Sequence, residues 1–560
     1  MLNYQFTDGT ICAPATIPGT GAISIIRVSG KESLTIADKI IHLSGGSLAE
    51  TEGYRLRYGT IFATDGSVLD NVIVSVFRAP HSYTGENSVE ISCHASRFIV
   101  NAILELLVNA GARIAAPGEF TRRAFVNGKM DLAQAEAVAD VIASQSAASH
   151  KVAMNQLKGG FSSELKTLRE KLLTMTSLLE LELDFSEEDV EFASRKELGQ
   201  LVDDSLTHIG RLTASFSRGN AIKNGVPVAI VGATNTGKST LLNALLGEER
   251  AIVSDIAGTT RDTIEETLNI DGILFRFIDT AGIRETDETI EKIGIDRTFK
   301  KLGEAAVVLG MTDLSRGEAA VLEDADFILS KVNEMGGVKN VSAENDGSET
   351  GGASLVGTDG TSLAETGGTS RSETGGTPLA ETGGASQHGH GAEQERKVVI
   401  LVNKCDVAGD FYRDDNGTGN GSGNDLGENM AEIGDNKNVN HDNNIVSLIE
   451  NKYDNCKVIP ISAKTGKGLS TLTKTLGEIG SEITGSTDET LVTNVRHYEA
   501  LVRAASALER VRAGLHIATL PPDLIAQDLR EALYHLGEIV GEISTDETLG
   551  NIFRNFCIGK

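Results

Sequence analysis

The sequence predicts a multidomain chain in which an α+β domain comes first and a discontinuous helical bundle follows, interrupted by a doubly wound α/β domain. Three observations support this fold class. The chain has 560 residues, more than one hydrophobic core usually organises. The apolar period changes from helix to strand at Val226, and helical periods return after residue 484. Two helical stretches on either side of an α/β domain suggest one bundle with that domain inserted into it.

The first 127 residues mix short β-like runs with turns. ISIIRV (23–28), VIVSVF (72–77) and VEISCHA (89–95) are the β-like runs, and RFIVNAILELLVNAG (97–111) has a helical pattern. We therefore predict an α+β domain over residues 1–127.

Residues 128–224 are predicted as the first part of the helical domain, and residues 485–560 as its second part. Apolar side chains recur near helical spacing in the first part at Leu165, Leu168, Leu172, Leu179 and Leu183. The second part has two such stripes, at Tyr498, Leu501, Ala505 and Leu508, and at Leu529, Leu533, Leu536 and Val540. We interpret all three stripes as bundle packing and not as ligand contacts.

The intervening α/β domain is predicted over residues 225–484, with two low-complexity insertions at about 334–397 and 408–450. The first insertion carries five copies of a degenerate octapeptide that begins with ETGGASLV at Glu349. These copies have too few apolar residues to stack as a solenoid. The second insertion is rich in Gly, Asn and Asp, so we predict that both are flexible.

Composition restricts the class of protein. With 51 basic and 79 acidic residues the formal net charge is −28, which excludes a uniformly basic nucleic-acid coat but leaves room for a basic patch or a basic partner. The five cysteines form no CxxC pair and are odd in number, so neither a disulfide framework nor a zinc finger is indicated. No run of 18 apolar residues and no secretory signal is present, so we expect a cytoplasmic protein without a membrane span.

A phosphate-binding loop is the strongest motif. A strand (228–231) runs into GATNTGKS (232–239) and then into a helical pattern. The glycines let backbone N–H groups turn towards phosphate oxygens, and the helix N-terminus adds its positive end. Lys238 would reach the β- and γ-phosphates, and Ser239 would ligate Mg²⁺.

Three further motifs indicate GTP. GTTRD (258–262) places Thr260 for the Mg²⁺ shell, and FRFIDTAG places Asp279 for the metal's water and Gly282 for the γ-phosphate. In NKCD (403–406), a carboxylate can accept hydrogen bonds from N1–H and the exocyclic amine of guanine, and SAK (462–464) backs the base. These motifs predict the following nucleotide contacts: Thr236, Gly237, Lys238, Ser239, Thr240, Thr260, Asp279, Thr280, Ala281, Gly282, Asn403, Lys404, Asp406, Ser462, Ala463 and Lys464.

The residue that orients the attacking water is left open by these motifs. Ras-like enzymes use a Gln two positions after the DxxG glycine, and here that position is Arg284. Four downstream carboxylates are candidates: Glu285, Asp287, Glu288 and Glu291. In the segment AAVVLGMTDLSRG, moreover, Gly310 and Met311 displace Thr312-Asp313 from the expected strand end.

Taken together, several segments resemble the MnmE/TrmE family of tRNA-modification GTPases. They are IPGTGAISIIRVSG, PGEFTRRAFVNGKMDLAQAEAVADVI, GTTRD, DTAGIRETDETIEKIGIDR and, above all, the C-terminal FCIGK. The resemblance covers nearly the whole chain apart from the two insertions, and it agrees with an α/β domain inserted into a helical bundle.

For the GTPase domain, the resemblance implies a K⁺-dependent mechanism. It implies that K⁺ is coordinated by Asn235, Ser254, Ile256 and Thr259, of which Asn235, Ser254 and Thr259 also belong to the GTP site. A cation there could supply the charge that an arginine finger supplies elsewhere. Glu291 would position the hydrolytic water indirectly, and GTPase domains would dimerise across their nucleotide faces.

For the N-terminal domain, the resemblance implies binding of a tetrahydrofolate derivative and constitutive homodimerisation. Arg27, Glu90, Lys129 and the terminal Lys560 match the family's folate contacts. Cations would suit the glutamate tail of folate, and a carboxylate the N–H donors of the pterin. Cys557 is expected to act in the modification chemistry, since a prenylation box fits its Cys-Ile-Gly-Lys context badly.

The function implied by the resemblance is modification of tRNA driven by GTP hydrolysis. With an FAD-dependent MnmG-type partner, the enzyme would install a carboxymethylaminomethyl or aminomethyl group at C5 of the wobble uridine, using a tetrahydrofolate one-carbon unit. The acidic balance suggests that the partner makes much of the contact with the tRNA backbone. The alternative is a regulatory or ribosome-assembly GTPase switch, although no KH-type GxxG on a basic domain follows the GTPase motifs.

Overall fold

The structure is a computed structural model, and it describes residues 9–184, 194–248, 266–278, 305–334, 396–406, 444–453, 456–485, 489–517, 521–543, 545–554, 556 and 559. The chain divides into two compact units. The first comprises Met1–Pro227, Glu265–Phe277 and Thr473–Lys560, and the second comprises Val228–Ile264 and Ile278–Leu472.

A seven-stranded sheet organises the N-terminal region. Its strands are β1 (Ile11–Pro14), β2 (Ile23–Ser29), β3 (Ile41–Leu43), β4 (Arg55–Phe62), β5 (Val68–Phe77), β6 (Ser88–His94) and β7 (Arg113–Ile114), in the order β3-β4-β5-β6-β2-β1-β7. All pairs are antiparallel except β1 with β7. The helices of this region are α1 (Ser33–Ile40), α2 (Arg97–Asn109) and α3 (Glu119–Val126).

The alternation of side chains along these strands builds the N-terminal core. Ile26 and Val28 of β2 are buried together with Val89 and Ile91 of β6, because residues two apart point to the same face of a sheet. The runs 23–28 and 89–95 and the helix 97–111 expected from sequence agree with β2, β6 and α2 to within two residues at both ends. The run 72–77 ends with β5, but β5 begins four residues earlier, at Val68.

Four helices follow, namely α4 (Leu132–Ala143), α5 (Ala147–Leu157), α6 (Gly160–Asp184) and α7 (Arg195–Asn224). Helix α4 begins with a capping box, in which Asp131 accepts from the Gln134 backbone N–H and the Gln134 side chain accepts from the Asp131 N–H. This reciprocal pair satisfies two backbone donors that a helix start leaves free.

Parallel strands dominate the second sheet. The first elements of this region are β8 (Val226–Gly232), α8 (Lys238–Glu248) and the antiparallel pair β9 (Glu266–Ile270) and β10 (Ile273–Ile278). They are followed by β11 (Val307–Asp313), a 3₁₀ turn (Leu314–Arg316), α9 (Glu318–Glu334) and β12 (Lys397–Asn403). The last elements are α10 (Asn444–Lys452), β13 (Cys456–Pro460) and α11 (Leu469–Thr484). Strands β13, β12, β11 and β8 are parallel neighbours in that order. Their near-continuous apolar runs are typical of strands buried on both faces.

The chain ends with α12 (Val495–Leu515), α13 (Pro522–Val540) and α14 (Asp546–Arg554). Leucines of the expected stripes in α6, α12 and α13 lie in one buried cluster with residues of α7. Two segments separated by more than 250 residues therefore share a core, as an interrupted bundle requires. No helix among the residues set out above is long and apolar enough to span a membrane.

Two sequence boundaries were wrong. Strand β11 continues through Gly310 and Met311 to Asp313, so Thr312-Asp313 stands at the strand end and is not displaced from it. The second insertion does not extend to residue 450, since Asn444–Lys452 is helical and Ile449 is buried. In both places the pairing or burial of apolar neighbours overrides the local signal of glycine or asparagine.

Candidate functional site

The phosphate-binding loop joins β8 to α8, as the sequence predicts. Asn235 has a φ of +63° and Gly237 a φ of +97°. A Cβ on Gly237 would lie 2.5 Å from Asn403 Nδ2, so only glycine fits there. Thr236 is buried, and its hydroxyl donates to the Ala233 carbonyl at 2.9 Å. The loop is therefore shaped by its own hydrogen bonds, and its helix begins at Lys238.

Lys238 folds back over this loop. Its Nζ donates to the carbonyl oxygens of Gly232 at 2.9 Å and Ala233 at 2.8 Å. Burial lowers the pKa of the Lys238 ammonium. Both contacts are to neutral carbonyls, so phosphate oxygens would give this ammonium a stronger, charge-assisted partner.

Asn403 connects the phosphate loop to the loop expected to back the base. Its Nδ2 donates to the Thr236 carbonyl at 2.7 Å, and its Oδ1 accepts from the Ala463 N–H at 3.0 Å. Asn403 is only 3% exposed, so both contacts are shielded from water. One amide side chain thus fixes the spacing between two loops that are 167 and 60 residues away from it in sequence.

Asp406 and Ser462 lie at the open side of this arrangement. A hydrogen bond from the Ser462 side chain lowers the pKa of the exposed Asp406 carboxyl, and the positive charge of Lys464 adds to the effect. Ser462 is buried, and its hydroxyl also accepts from the Thr465 N–H at 3.2 Å. An ionised, oriented carboxylate is suited to accept the two adjacent N–H donors of guanine.

These contacts gather the predicted residues 235–240, 403–406 and 462–464 at one edge of the second sheet. The loops follow the carboxyl ends of the parallel strands β8, β12 and β13, where open α/β sheets bind their ligands. These segments are far apart in the sequence and are brought together only by the fold. The arrangement can hold phosphates at one end and a guanine base at the other.

Two candidate cation ligands, Ser239 and Asn235, lie within the described residues. Ser239 is exposed at the start of α8, where its hydroxyl can reach a cation bound to phosphate, and Asn235 is exposed on the loop itself. Among the residues described, no three His, Cys, Asp or Glu side chains gather as a metal site.

Several predicted residues lie outside the described part of the chain. These are Ser254, Ile256, Thr259, Thr260, Asp279, Thr280, Ala281, Gly282, Glu291, Cys557 and Lys560.

In the N-terminal region, Arg27 and Glu90 face each other across β2 and β6. The Arg27 Nε donates to Glu90 Oε1 at 2.9 Å. The Arg27 guanidinium also lies over the rings of Tyr83, at 5.1 Å, and Phe120, at 5.6 Å. Sequence reasoning missed both rings, which hold the guanidinium by cation–π contact.

The end of the chain reaches the same place. Gly559 accepts from Arg27 Nη1 at 3.4 Å, and a Cβ on it would lie 2.0 Å from the Pro14 carbonyl oxygen. Phe553 of α14 packs with Leu132 and Phe125, which guides the tail to this domain. Lys129 is exposed and donates to the Pro80 carbonyl at 3.1 Å, on the loop that carries Tyr83.

Asp313 is a further residue of interest that sequence reasoning did not place in the site. It ends β11, and its carboxylate lies 2.6 Å from Lys404 Nζ. The signal that could have found it is an acidic residue at the carboxyl end of a parallel strand next to β12, once the strand end is set correctly.

Comparisons with known proteins cover almost the whole chain. The family model described as the MnmE helical domain matches residues 132–557, and that of the GTP-binding protein TrmE N-terminus matches residues 10–129. A Parabacteroides distasonis protein named tRNA modification GTPase MnmE is 44% identical over 554 residues, covering 98% of this chain and 100% of its own. This chain is also similar to proteins of the same name from two other organisms. The Bacteroides fragilis protein is 45% identical over 553 residues, covering 98% of this chain and 99% of its own. The Flavobacterium johnsoniae protein is 43% identical over 557 residues, covering 99% of this chain and 100% of its own.

Proposed function

Because this chain belongs to the MnmE family of tRNA modification GTPases, we propose that its GTP hydrolysis drives modification of the tRNA wobble uridine together with a partner protein. The partner is an FAD-dependent protein of the MnmG type. The product carries a carboxymethylaminomethyl or aminomethyl group at C5, and its one-carbon unit comes from a tetrahydrofolate derivative. The chain itself is a GTP-hydrolysing enzyme.

The observation that carries the nucleotide half of this proposal is the double contact of Asn403. It ties the phosphate loop, through Thr236, to the base-backing loop, through Ala463. Asp406 then completes the guanine contact, while Lys238 and Ser239 serve the phosphates and Mg²⁺. K⁺ bound by Asn235 and by Ser254, Ile256 and Thr259 supplies positive charge during hydrolysis, and Glu291 positions the water.

GTP hydrolysis in KCl against NaCl at matched ionic strength tests this half. We expect a stimulation of about tenfold or more by K⁺, since one oriented positive group is worth that much in a phosphoryl-transfer transition state. Asn235→Ala should remove the stimulation, whereas Asn220→Ala, at a half-buried position of α7, should keep it. Equal rates of the native enzyme in the two salts would overturn the K⁺ mechanism and leave nucleotide binding intact.

The folate half is supported by the convergence of Arg27, Glu90 and the tail residue Gly559. The ion pair keeps two opposite charges at the surface of one sheet, backed by Tyr83 and Phe120. A ligand with an anionic tail and a flat ring bearing N–H donors would find a partner for each of its parts there. Lys129 and Lys560 would add positive charge, and Cys557 precedes Gly559 by two positions.

Nucleoside analysis of tRNA from a deletion strain tests the modification itself. Complementation with the native gene should restore the modified wobble uridine. Arg27→Met and Cys557→Ser should fail to restore it while their purified proteins still hydrolyse GTP. Arg55→Met removes an exposed pair with Glu52 in the same region and should restore it fully. Full modification by both Arg27→Met and Cys557→Ser would remove them from the mechanism, and unmodified tRNA with native protein would favour a regulatory switch.

A further inference from the structure

Asp313 is a charged side chain at a buried position. It is the last residue of β11, and it pairs in register with Asn403 at the end of β12. It is only 5% exposed. A carboxylate at such a site loses most of its hydration, which destabilises the folded state unless a cation and hydrogen bonds replace the lost water.

Two neighbours meet that need. Lys404 Nζ lies 2.6 Å from Asp313 Oδ2. Oδ1 accepts from the Ser315 N–H at 3.0 Å and from the Ser315 hydroxyl at 2.6 Å. Burial alone would raise the pKa of the Asp313 carboxyl, but these hydrogen bonds and the Lys404 charge outweigh it and hold the pKa below its usual range.

Lys404 needs a restraint of its own. Its φ is +66°, a left-handed backbone conformation that is strained for a residue with a Cβ. It stands between Asn403, which is fixed to Thr236 and Ala463, and Cys405, whose N–H donates to the Ile461 carbonyl. These two neighbours fix the backbone on either side of Lys404. The Lys404 side chain is held by its ion pair with Asp313.

We propose that Asp313 is a positioning residue for guanine recognition, which fixes the Lys404 side chain and through it loop 403–406 in the conformation that accepts the base. This inference rests on the proposed role of loop 403–406 as the guanine-binding loop. Asp313 acts only through Lys404, and it serves nucleotide binding, not the chemistry at the γ-phosphate.

Asp313→Asn separates the two contacts of the carboxylate. The amide oxygen can still accept from Ser315, but the charge that attracts Lys404 is gone. We expect the Kd for fluorescently labelled GDP and the KM for GTP to rise about ten- to 150-fold, the fold-change that corresponds to a hydrogen bond to a charged group. The kcat at saturating GTP should change less than twofold, which a general loss of folding would not produce. Asp313→Glu, which keeps the charge, should recover part of the affinity.

Ser315→Ala is the matched control, since it removes the hydroxyl contact to Asp313 and leaves the ion pair. Its Kd for GDP should stay within twofold of native. A double-mutant cycle with Lys404→Met adds a second test: in that background Asp313→Asn should cost less than twofold, because the two residues act as one unit. The proposal would be overturned if the affinity losses of Asp313→Asn and Lys404→Met multiplied in full in the double variant. It would also be overturned if Asp313→Asn had the native Kd for GDP and an unchanged Tm.

Asp406→Asn distinguishes this failure from failure of the guanine assignment. Xanthine carries a carbonyl where guanine carries the exocyclic amine, so an amide donor at 406 should shift preference from GDP to xanthosine diphosphate. If Asp406→Asn shifts the preference and Asp313→Asn has no effect, only the role of Asp313 is wrong. If Asp406→Asn leaves the preference for GDP unchanged, the guanine assignment itself is wrong.

Discussion

At the scale of single residues, the nucleotide site depends on a few positions where the backbone or a neighbour admits one side chain only. Gly237 is such a position, because it combines a positive φ with the close approach of Asn403. Asn403 in turn has both its amide groups engaged. The residues of these motifs are therefore needed for contacts between loops as well as for contacts with a ligand.

Gly237→Ala should damage nucleotide binding by displacing Asn403. The added Cβ would lie 2.5 Å from Nδ2, and the φ of +97° is strained for alanine, so we expect a rise of about tenfold or more in the Kd for GDP. Gly247→Ala in α8 is the control, since a Cβ there meets nothing within 4 Å. Isothermal titration with GDP measures both, and a native Kd for Gly237→Ala would contradict the contact.

At the scale of secondary-structure elements, a buried polar cluster fastens α4 to α12 and α13. Glu136 of α4 accepts from Arg496 Nε at 2.9 Å and lies 2.6 Å from His497 Nε2. Arg496 also donates to the carbonyls of Glu538 and Ile539 at the end of α13. His497 is fully buried beside Phe161. The cluster joins parts of the chain about 360 residues apart.

Glu136→Gln should destabilise this junction in a pH-dependent way. Burial alone would raise the Glu136 pKa, but His497 and Arg496 lower it to about 2. Since the folded pKa lies below the unfolded value near 4.3, the stabilisation is fully present above about pH 4.5 and is lost as the pH falls towards 2. We expect a loss of about 3 kcal/mol at pH 7, which shrinks below pH 4.

Thermal unfolding of the full chain between pH 3 and pH 8 measures this difference. Glu180→Gln is the matched control, because its pair with Arg530 joins α6 to α13 at an exposed site and should contribute less than about 1 kcal/mol. A Glu136→Gln variant whose Tm differs from native equally at every pH would show that the ionised carboxylate is not responsible.

At the scale of the whole molecule, the N-terminal sheet has an exposed apolar face. On β4, Leu56 is 69% and Tyr58 62% exposed, and Ile73 on β5, the cross-strand neighbour of Tyr58, is 49% exposed. Tyr54 and Val68 extend this face. Exposed apolar groups in contiguous patches mark interaction surfaces, and a second copy of the chain is the occupant that the homodimer implied by the family resemblance would supply.

Tyr58→Glu should therefore convert a dimer into a monomer. A charge placed opposite Ile73 would have to be buried unpaired in the interface, at both copies of a twofold contact. Multi-angle light scattering of the nucleotide-free protein gives the mass, and circular dichroism confirms the fold. Thr60→Glu, further along the same strand beside Asn71, should reduce the mass less. An unchanged dimer mass for Tyr58→Glu would place the dimer contact elsewhere.

The sequence by itself determined the succession of strand-rich, helical and P-loop regions, the nucleotide motifs and the family, because periodicity and fixed motif spacing are local properties of the chain. The MnmE assignment made from motifs was confirmed by relatives of 43–45% identity. Folate, K⁺ and the MnmG-type partner stay predictions.

Only the tertiary structure decided which distant groups meet. The Asp313–Lys404 pair, the Glu136–Arg496–His497 cluster and the docking of Gly559 beside Arg27 each join residues between 91 and 532 positions apart. Such contacts follow from how sheets and helices pack and leave no periodic trace in the sequence. The end of β11 at Asp313 is also decided by tertiary structure. Local propensity would end the strand at Gly310, but pairing with β8 and β12 extends it beyond that residue.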